Sequence, residues 1–199
     1  MCIRDRVKAG HKEEILKKLG EIRLFLGDRF GLRSEDFKFL WVRNFPLFEW
    51  NEEEKQIQPA HHPFTMIHEQ DIELLKTDPL KAYSYHYDLV LNGSEVASGS
   101  IRVHNRQLQE KLLEVIGINK EEAQIRYGFL LDALEYGAPP HGGIAVGYDR
   151  LVAIMAGTES IRDVIAFPKT TQAQGLMEGT PSEVSEQALK ELKIKIKED

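Results

Sequence analysis

Two stretches of the chain carry residue types and spacings suited to phosphate and carboxylate chemistry. In Gly142-Gly143-Ile144-Ala145-Val146-Gly147-Tyr148-Asp149-Arg150-Leu151, a short apolar strand bounded by glycines turns directly into an amphipathic segment. That segment continues through Val152-Ala153-Ile154-Met155 and stops at Ala156-Gly157. An arginine in the first turn of a helix opposes the helix dipole, so its position calls for an anion or a π-face in front of the helix. Glycines flanking the strand let a flat ligand approach the backbone, and a guanidinium fork can stack on a ring or grip phosphate oxygens. A plain strand-to-helix turn with a surface arginine would show the same pattern.

The second stretch is Tyr83 to Val103, with Asn92-Gly93 at its centre. Asn-Gly between two β-rich runs is the strongest short hairpin signal. A two-residue turn sets Leu91 opposite Ser94 and Val90 opposite Glu95, and leaves Asp88 diagonal to Glu95 on one face. Two carboxylates so placed can share one cation. The other face collects Tyr85, Tyr87, Leu89, Leu91 and Val96 as the expected core side. Strict alternation would then bury Arg102 and expose Ile101 and Val103, which is costly. A bulge at Gly99 restores the parity, because an unpaired residue there returns Ile101 and Val103 to the core and brings Arg102 beside Asp88 and Glu95. The bland alternative is a surface ion-pair cluster of small energetic worth.

The elements that must position these residues read as strands in hairpins and helices in separate blocks, an antiparallel α+β domain. Apolar residues from Lys8 onward have helical spacing and predict a helix ending near Gly27 or Gly31, preceded by a ragged start at Met1–Arg6. Its apolar face needs a partner that residues 1 to 6 cannot supply, so further chain is expected upstream. Phe39 to Val42 predicts a strand, Asn44-Phe45-Pro46 a turn, Leu47-Phe48 a second apolar patch and Asn51 to Lys55 a solvated loop. Asp71 to Pro79 predicts a linker with a short helix, and Asn105 to Gly117 and Lys120 to Tyr136 predict two helices. Asp163 to Phe167 predicts a strand and Ser185 to Leu192 a last helix.

The bulk numbers fit a globular protein: 199 residues, 42% hydrophobic and 29% charged, are enough for a sizeable core. A single cysteine, Cys2, excludes an internal disulfide and suits a reducing, cytoplasmic setting. The seven histidines show no metal-ligand spacing beyond the adjacent pair His61-His62. No run is long enough to span a membrane, and a formal charge of -6 argues against general nucleic-acid binding, so any RNA contact is expected to be local.

The chain resembles the bacterial aspartyl-tRNA synthetases, of class II. The resemblance is carried by Phe39-Leu40-Trp41-Val42, Asn44 to Glu49, His61-His62-Pro63-Phe64-Thr65, Tyr87 to Gly93, Gly99 to His104, Tyr127 to Leu134, the Gly142–Leu151 stretch as motif 3, and Ile161 to Lys169. It implies an incomplete class II catalytic domain built on an antiparallel sheet flanked by helices. It also implies a two-step reaction, in which L-aspartate and ATP give aspartyl-adenylate and pyrophosphate before the acyl group passes to tRNA(Asp). Glu95 would hold the ATP-bound Mg²⁺ with Asp88 as the second carboxylate, and Arg102 would pair with the aspartate side chain. A histidine of the His61-His62 pair would touch the amino acid, His61 by preference, against the alternative of a histidine stacked on Phe64. Gly147, Tyr148, Asp149 and Arg150 would cover the nucleotide, with Arg150 on adenine and the γ-phosphate.

Two departures from the family pattern stand out: Ser98 occupies a place where many relatives carry glycine, and the parts of the family preceding this chain are absent. Residues 1–34 correspond to the tail of the bacterial insertion domain and residues 35–199 to the carboxyl-terminal part of the catalytic domain. Motifs 1 and 2 and the anticodon-binding domain are not in the sequence, so a carboxyl-terminal fragment, inactive alone, is expected from a homodimeric enzyme. An asparaginyl-tRNA synthetase or asparagine synthetase relative, and a noncatalytic synthetase-derived module, are the competing readings.

Overall fold

The computed structural model describes residue 10, residues 12–34 and residues 36–197. Cys2 and the ragged start at Met1–Arg6 lie outside them. The chain divides into two compact units between Lys38 and Phe39. The first holds one helix, α1 (Lys12–Arg29), on which Leu16, Leu19, Ile22, Phe25 and Leu26 are all exposed.

The second unit is the expected antiparallel α+β domain. Its four-stranded sheet has the order β1-β4-β5-β6, formed by β1 (Phe39–Pro46), β4 (Tyr83–Leu91), β5 (Ser94–Ile101) and β6 (Gly142–Val146). A separate hairpin pairs β2 (Phe48–Asn51) with β3 (Gln56–Pro59). The helices are α2 (Leu74–Thr77), α3 (Arg106–Val115), α4 (Lys120–Glu135), α5 (Tyr148–Ala156) and α6 (Glu186–Leu192). Asn105 caps α3 by accepting from Leu108 N–H and Asn119 caps α4 by accepting from Glu122 N–H, as short polar side chains do at helix starts.

The main core gathers Leu47, Phe48, Ile67, Leu75, Ala82, Val103 and Leu112, beside the β2-β3 hairpin, α2 and α3. A smaller cluster, Leu113, Ala123 and Leu131, joins α3 to α4. The segment Phe64 to His68 contributes Ile67 to the main core. Its backbone pairs with the start of β4 through Tyr85 N–H to the Met66 carbonyl, and with the end of β5 through Met66 N–H to the Ile101 carbonyl and Val103 N–H to the Phe64 carbonyl.

Three expectations about local structure need correction. The turn signal at Asn44 does not end β1; Asn44 takes φ 60° and makes an irregularity between Arg43 and Phe45, after which pairing resumes. Asp163 to Phe167 is not a strand. Ser160 caps a 3₁₀ turn at Ile161–Asp163, and the N–H groups of Asp163 and Val164 are committed to the carbonyls of Ser160 and Ile161.

The third correction concerns the bulge. Leu91 faces Ser94 and Val90 faces Glu95, as the Asn92-Gly93 turn requires, but Leu89 then faces Ala97, leaving Val96 as the extra residue. Gly99 sits in regular register between Tyr87 and Ile144. It is needed there for space: a Cβ at Gly99 would lie 2.1 Å from the Gly143 carbonyl oxygen and 2.7 Å from the Tyr87 ring. The Tyr87 hydroxyl donates to that same Gly143 carbonyl at 3.0 Å, so the ring closes over the glycine.

Gly99→Ala is therefore expected to lower stability by about 1–3 kcal/mol, while Gly143→Ala, whose Cβ would meet nothing within 4 Å, changes it by under about 0.5 kcal/mol. Urea denaturation of the two variants checks this, and equal losses would refute the close-approach account.

Candidate active site

The bulge at Val96 decides which side chains share a face. Val90 and Asp88 point the same way along β4, and their cross-strand partners are Glu95 and Ser98. Continuing along β5, Ser100 lies opposite His86, and Arg102 follows on the same side. Asp88, Glu95 and Arg102 thus belong to one face, as the parity argument required, although the extra residue is Val96 rather than Gly99.

That face is more enclosed than expected. Ser84, His86, Asp88 and Ser100 are buried, whereas Tyr85 and Trp41 on the presumed core side are exposed. The reason is the chain that returns over the polar face: His61 stacks on His86 with ring centroids 3.6 Å apart and planes 11° apart, and Phe45 meets both rings edge-on. Leu91 and Val96 are buried as anticipated.

The neighbouring His62 stands against Arg102. Nη1 of the arginine lies 3.1 Å from His62 Nδ1 and also contacts Nε2. Phe64 N–H donates to His62 Nδ1 at 3.2 Å, and the Thr65 hydroxyl is 3.3 Å from the same atom. The Phe64 ring is a more distant, tilted neighbour of His62, at 6.0 Å. Burial, and then the positive charge of Arg102, lower the His62 pKa from 6.5 to about 4, with His86 and His61 adding to the effect. The ring is neutral at pH 7. Arg102 is half-buried and, among the described residues, has no carboxylate within ion-pair distance, which leaves a fork open toward an anion.

His86 was not singled out from the sequence. It is 5% exposed, and its Nε2 lies 3.1 Å from Asp88 Oδ1 and 3.3 Å from the Ser98 hydroxyl. Its pKa is lowered, chiefly by burial and then by His61, against the pull of Asp88. The signal available in the sequence was its spacing of two from Asp88, which on a strand means the same face.

The Gly142–Leu151 stretch docks on the bulge itself. β6 pairs with β5 from Ala97↔Val146 to Ile101↔Gly142, and Gly147 N–H donates to the Val96 carbonyl at 2.9 Å. Helix α5 starts at once, and Arg150 Nη1 donates to the backbone carbonyl of Glu95. Tyr148 is largely exposed, and Asp149 lies in the exposed first turn. The structure therefore brings Arg150 to Glu95, and Asp88, His86, His61, His62 and Arg102 into one connected row.

No group of three or more His, Cys, Asp or Glu side chains able to hold a metal occurs among the described residues. A magnesium ion carried by phosphates needs only one or two protein carboxylates. Asp88, with one oxygen held by His86, and the exposed Glu95 fit that requirement.

The antiparallel sheet flanked by helices is the fold of the class II aminoacyl-tRNA synthetases. A family model described as tRNA synthetases class II (D, K and N) matches residues 9–171, and the chain belongs to that family. It is 51% identical over 191 residues to an aspartate–tRNA(Asp/Asn) ligase of Caldanaerobacter subterraneus, covering 96% of this chain and 32% of that protein. A ligase of the same name from Syntrophotalea carbinolica is 53% identical over 180 residues, covering 90% of this chain and 30% of that protein. The chain thus spans about a third of the length of these relatives. Among solved structures, an aspartyl-tRNA synthetase from Entamoeba histolytica matches with a TM-score of 0.51 and 22% identity, over 78% of this chain and 26% of that one, and shares the fold. No helix among the described residues is long and apolar enough to cross a membrane.

The lowered His62 pKa sets a sign for pH dependence. Between pH 6.5 and about 4 the unfolded chain takes up a proton at this position that the folded chain refuses. Stability from this source is complete above pH 6.5 and is lost as pH falls toward 4. In His62→Gln the drop in denaturation midpoint between about pH 7 and about pH 4.5 should be smaller than in the unaltered protein; an equal drop would exclude His62 as its origin.

Proposed function

We propose that this chain is part of an aspartate–tRNA ligase, with residues 1–34 the tail of an insertion domain and residues 35–199 the carboxyl-terminal part of the catalytic domain. The observation that carries the reading is Arg102: a half-buried guanidinium without an acidic partner among the described residues, beside a histidine kept neutral by burial. A free carboxylate is the ligand that such a fork accepts in two parallel bonds, and an amide is not.

On this reading, Arg102 takes the side-chain carboxylate of L-aspartate, and His61 and His62 border the amino-acid pocket. The α-carboxylate oxygen attacks the α-phosphorus of ATP, forming the mixed anhydride and releasing pyrophosphate. Attack on a polyanion calls for charge neutralisation and alignment more than for a general base. Mg²⁺ bound with ATP would be held by Asp88 and Glu95 and would offset phosphate charge. Gly147, Tyr148 and Asp149 flank the nucleotide, and Arg150 covers adenine and reaches the γ-phosphate. The adenylate then passes its acyl group to the terminal ribose of tRNA(Asp). The enzyme works as a cytoplasmic homodimer.

In the full-length enzyme, ATP–pyrophosphate exchange should depend on aspartate; exchange that proceeds only with asparagine would overturn the assignment in favour of an asparaginyl relative. Arg102→Leu should raise the KM for aspartate by about 10- to 100-fold and the KM for ATP far less, as expected for the loss of a charged hydrogen-bonded pair. Equal losses for both substrates would place Arg102 elsewhere.

A further inference from the structure

His86 has features that no role in substrate binding explains. It is almost wholly buried, its Nδ1 has no hydrogen-bond partner, and its two exits lead to different parts of the site. Through Nε2 it reaches Asp88 Oδ1 at 3.1 Å and the Ser98 hydroxyl at 3.3 Å. Through its face it carries His61, stacked at 3.6 Å.

The hydrogen-bond chemistry assigns the proton. Asp88 as a carboxylate only accepts, so Nε2 of a neutral His86 donates to it, and the bare Nδ1 lone pair is what stays buried. One oxygen of Asp88 is thereby fixed and the other left for a cation. Ser98 lies directly across from Asp88 and adds a second polar neighbour to the same nitrogen. Phe45 packs edge-on against both imidazoles, with centroids at 4.8 Å from His86 and 5.0 Å from His61, and closes the stack from the side.

We infer that His86 is a positioning residue that sets two arms of the site at once, orienting the Asp88 carboxylate through its Nε2–H and holding His61 over the amino-acid pocket through its ring face. This rests on the aspartate and ATP–Mg²⁺ reading given above. Removing a supporting hydrogen bond behind a metal-facing carboxylate typically weakens metal binding by about 10- to 100-fold. Losing one aromatic stack is worth about 3- to 10-fold.

The two arms separate by substitution in the full-length enzyme. His86→Phe keeps a ring for His61 and removes the donor to Asp88; His86→Gln keeps a donor near Nε2 and removes the ring. Binding of Mn²⁺ in the presence of a nonhydrolysable ATP analogue, followed by electron paramagnetic resonance, reads the first arm. Calorimetric titration with L-aspartate reads the second. The expected result is a split: His86→Phe weakens Mn²⁺ binding about tenfold or more with aspartate affinity within about twofold, and His86→Gln weakens aspartate about threefold or more with Mn²⁺ binding nearly unchanged. Equal effects of both variants on both ligands, or no effect of either, overturn the inference. Glu95→Gln serves as the control: if it weakens Mn²⁺ binding while both His86 variants bind as the unaltered enzyme does, only the positioning role falls. If Glu95→Gln leaves Mn²⁺ binding intact, the cation assignment on which the inference rests falls with it.

Discussion

One extra residue in β5 determines the chemistry of this sheet. With Val96 unpaired, the strand turns over by one position between Glu95 and Ala97, so that Glu95, Ser98, Ser100 and Arg102 all project from the face that carries His86 and Asp88. Without it, Glu95 and Arg102 would leave opposite surfaces and no single ligand could meet both. Two carbonyls beside the bulge hold the elements that follow. That of Val96 accepts the N–H of Gly147, and that of Glu95 accepts the guanidinium of Arg150. The edge strand β6 and helix α5 are thus anchored at the point where the parity changes.

The polar face is held in an arrangement that favours an arriving anion. Arg102 keeps its charge while half-buried, with imidazole nitrogen, not carboxylate, against it. Burial lowers the pKa of His62 and of His86, so these two rings add no second cation at neutral pH. A guanidinium left without a counter-charge is a cost to the folded state, of the kind that binding sites accept because the ligand removes it. The aromatic supports of Phe45 and the backbone pairing of Phe64 to His68 resist collapse of this arrangement.

The right parity, one extra residue between Glu95 and Arg102, was legible in the sequence, but from a premise that the structure reverses: that premise kept Arg102 out of the core and returned Ile101 to it, whereas the face of Arg102 is the enclosed one and Ile101 is exposed. That argument constrains only the number of extra residues, not their place, and an unpaired Val96 serves as well as an unpaired Gly99 between Glu95 and Arg102. Gly99 has its own reason, the close approach of Gly143 from a strand more than forty residues away, which no local pattern reveals. The same limit hid His86 and reversed the expected core side. A histidine between tyrosines reads as ordinary strand until the segment around His61 is known to return over it, and that return is a tertiary contact. At Asp163 to Phe167 the apolar run promised a strand, but the N–H groups of Asp163 and Val164 are consumed by the local turn that Ser160 starts.

The arginine in the first turn of α5, which first marked this chain as unusual, finds a partial answer in the bulge. Gly147 offers no side-chain cap, and a cation there opposes the exposed N–H groups of the turn. The Glu95 carbonyl, next to the extra residue, accepts from that cation and offsets part of the conflict. A ligand that recruits Arg150 must therefore offer more than a neutral carbonyl does. A phosphate oxygen meets that condition, since a hydrogen bond charged on both sides is roughly twice as strong as a neutral one, and it would meet the helix N–H groups with the favourable sign as well. Docking α5 on the bulge thus keeps Arg150 beside Glu95.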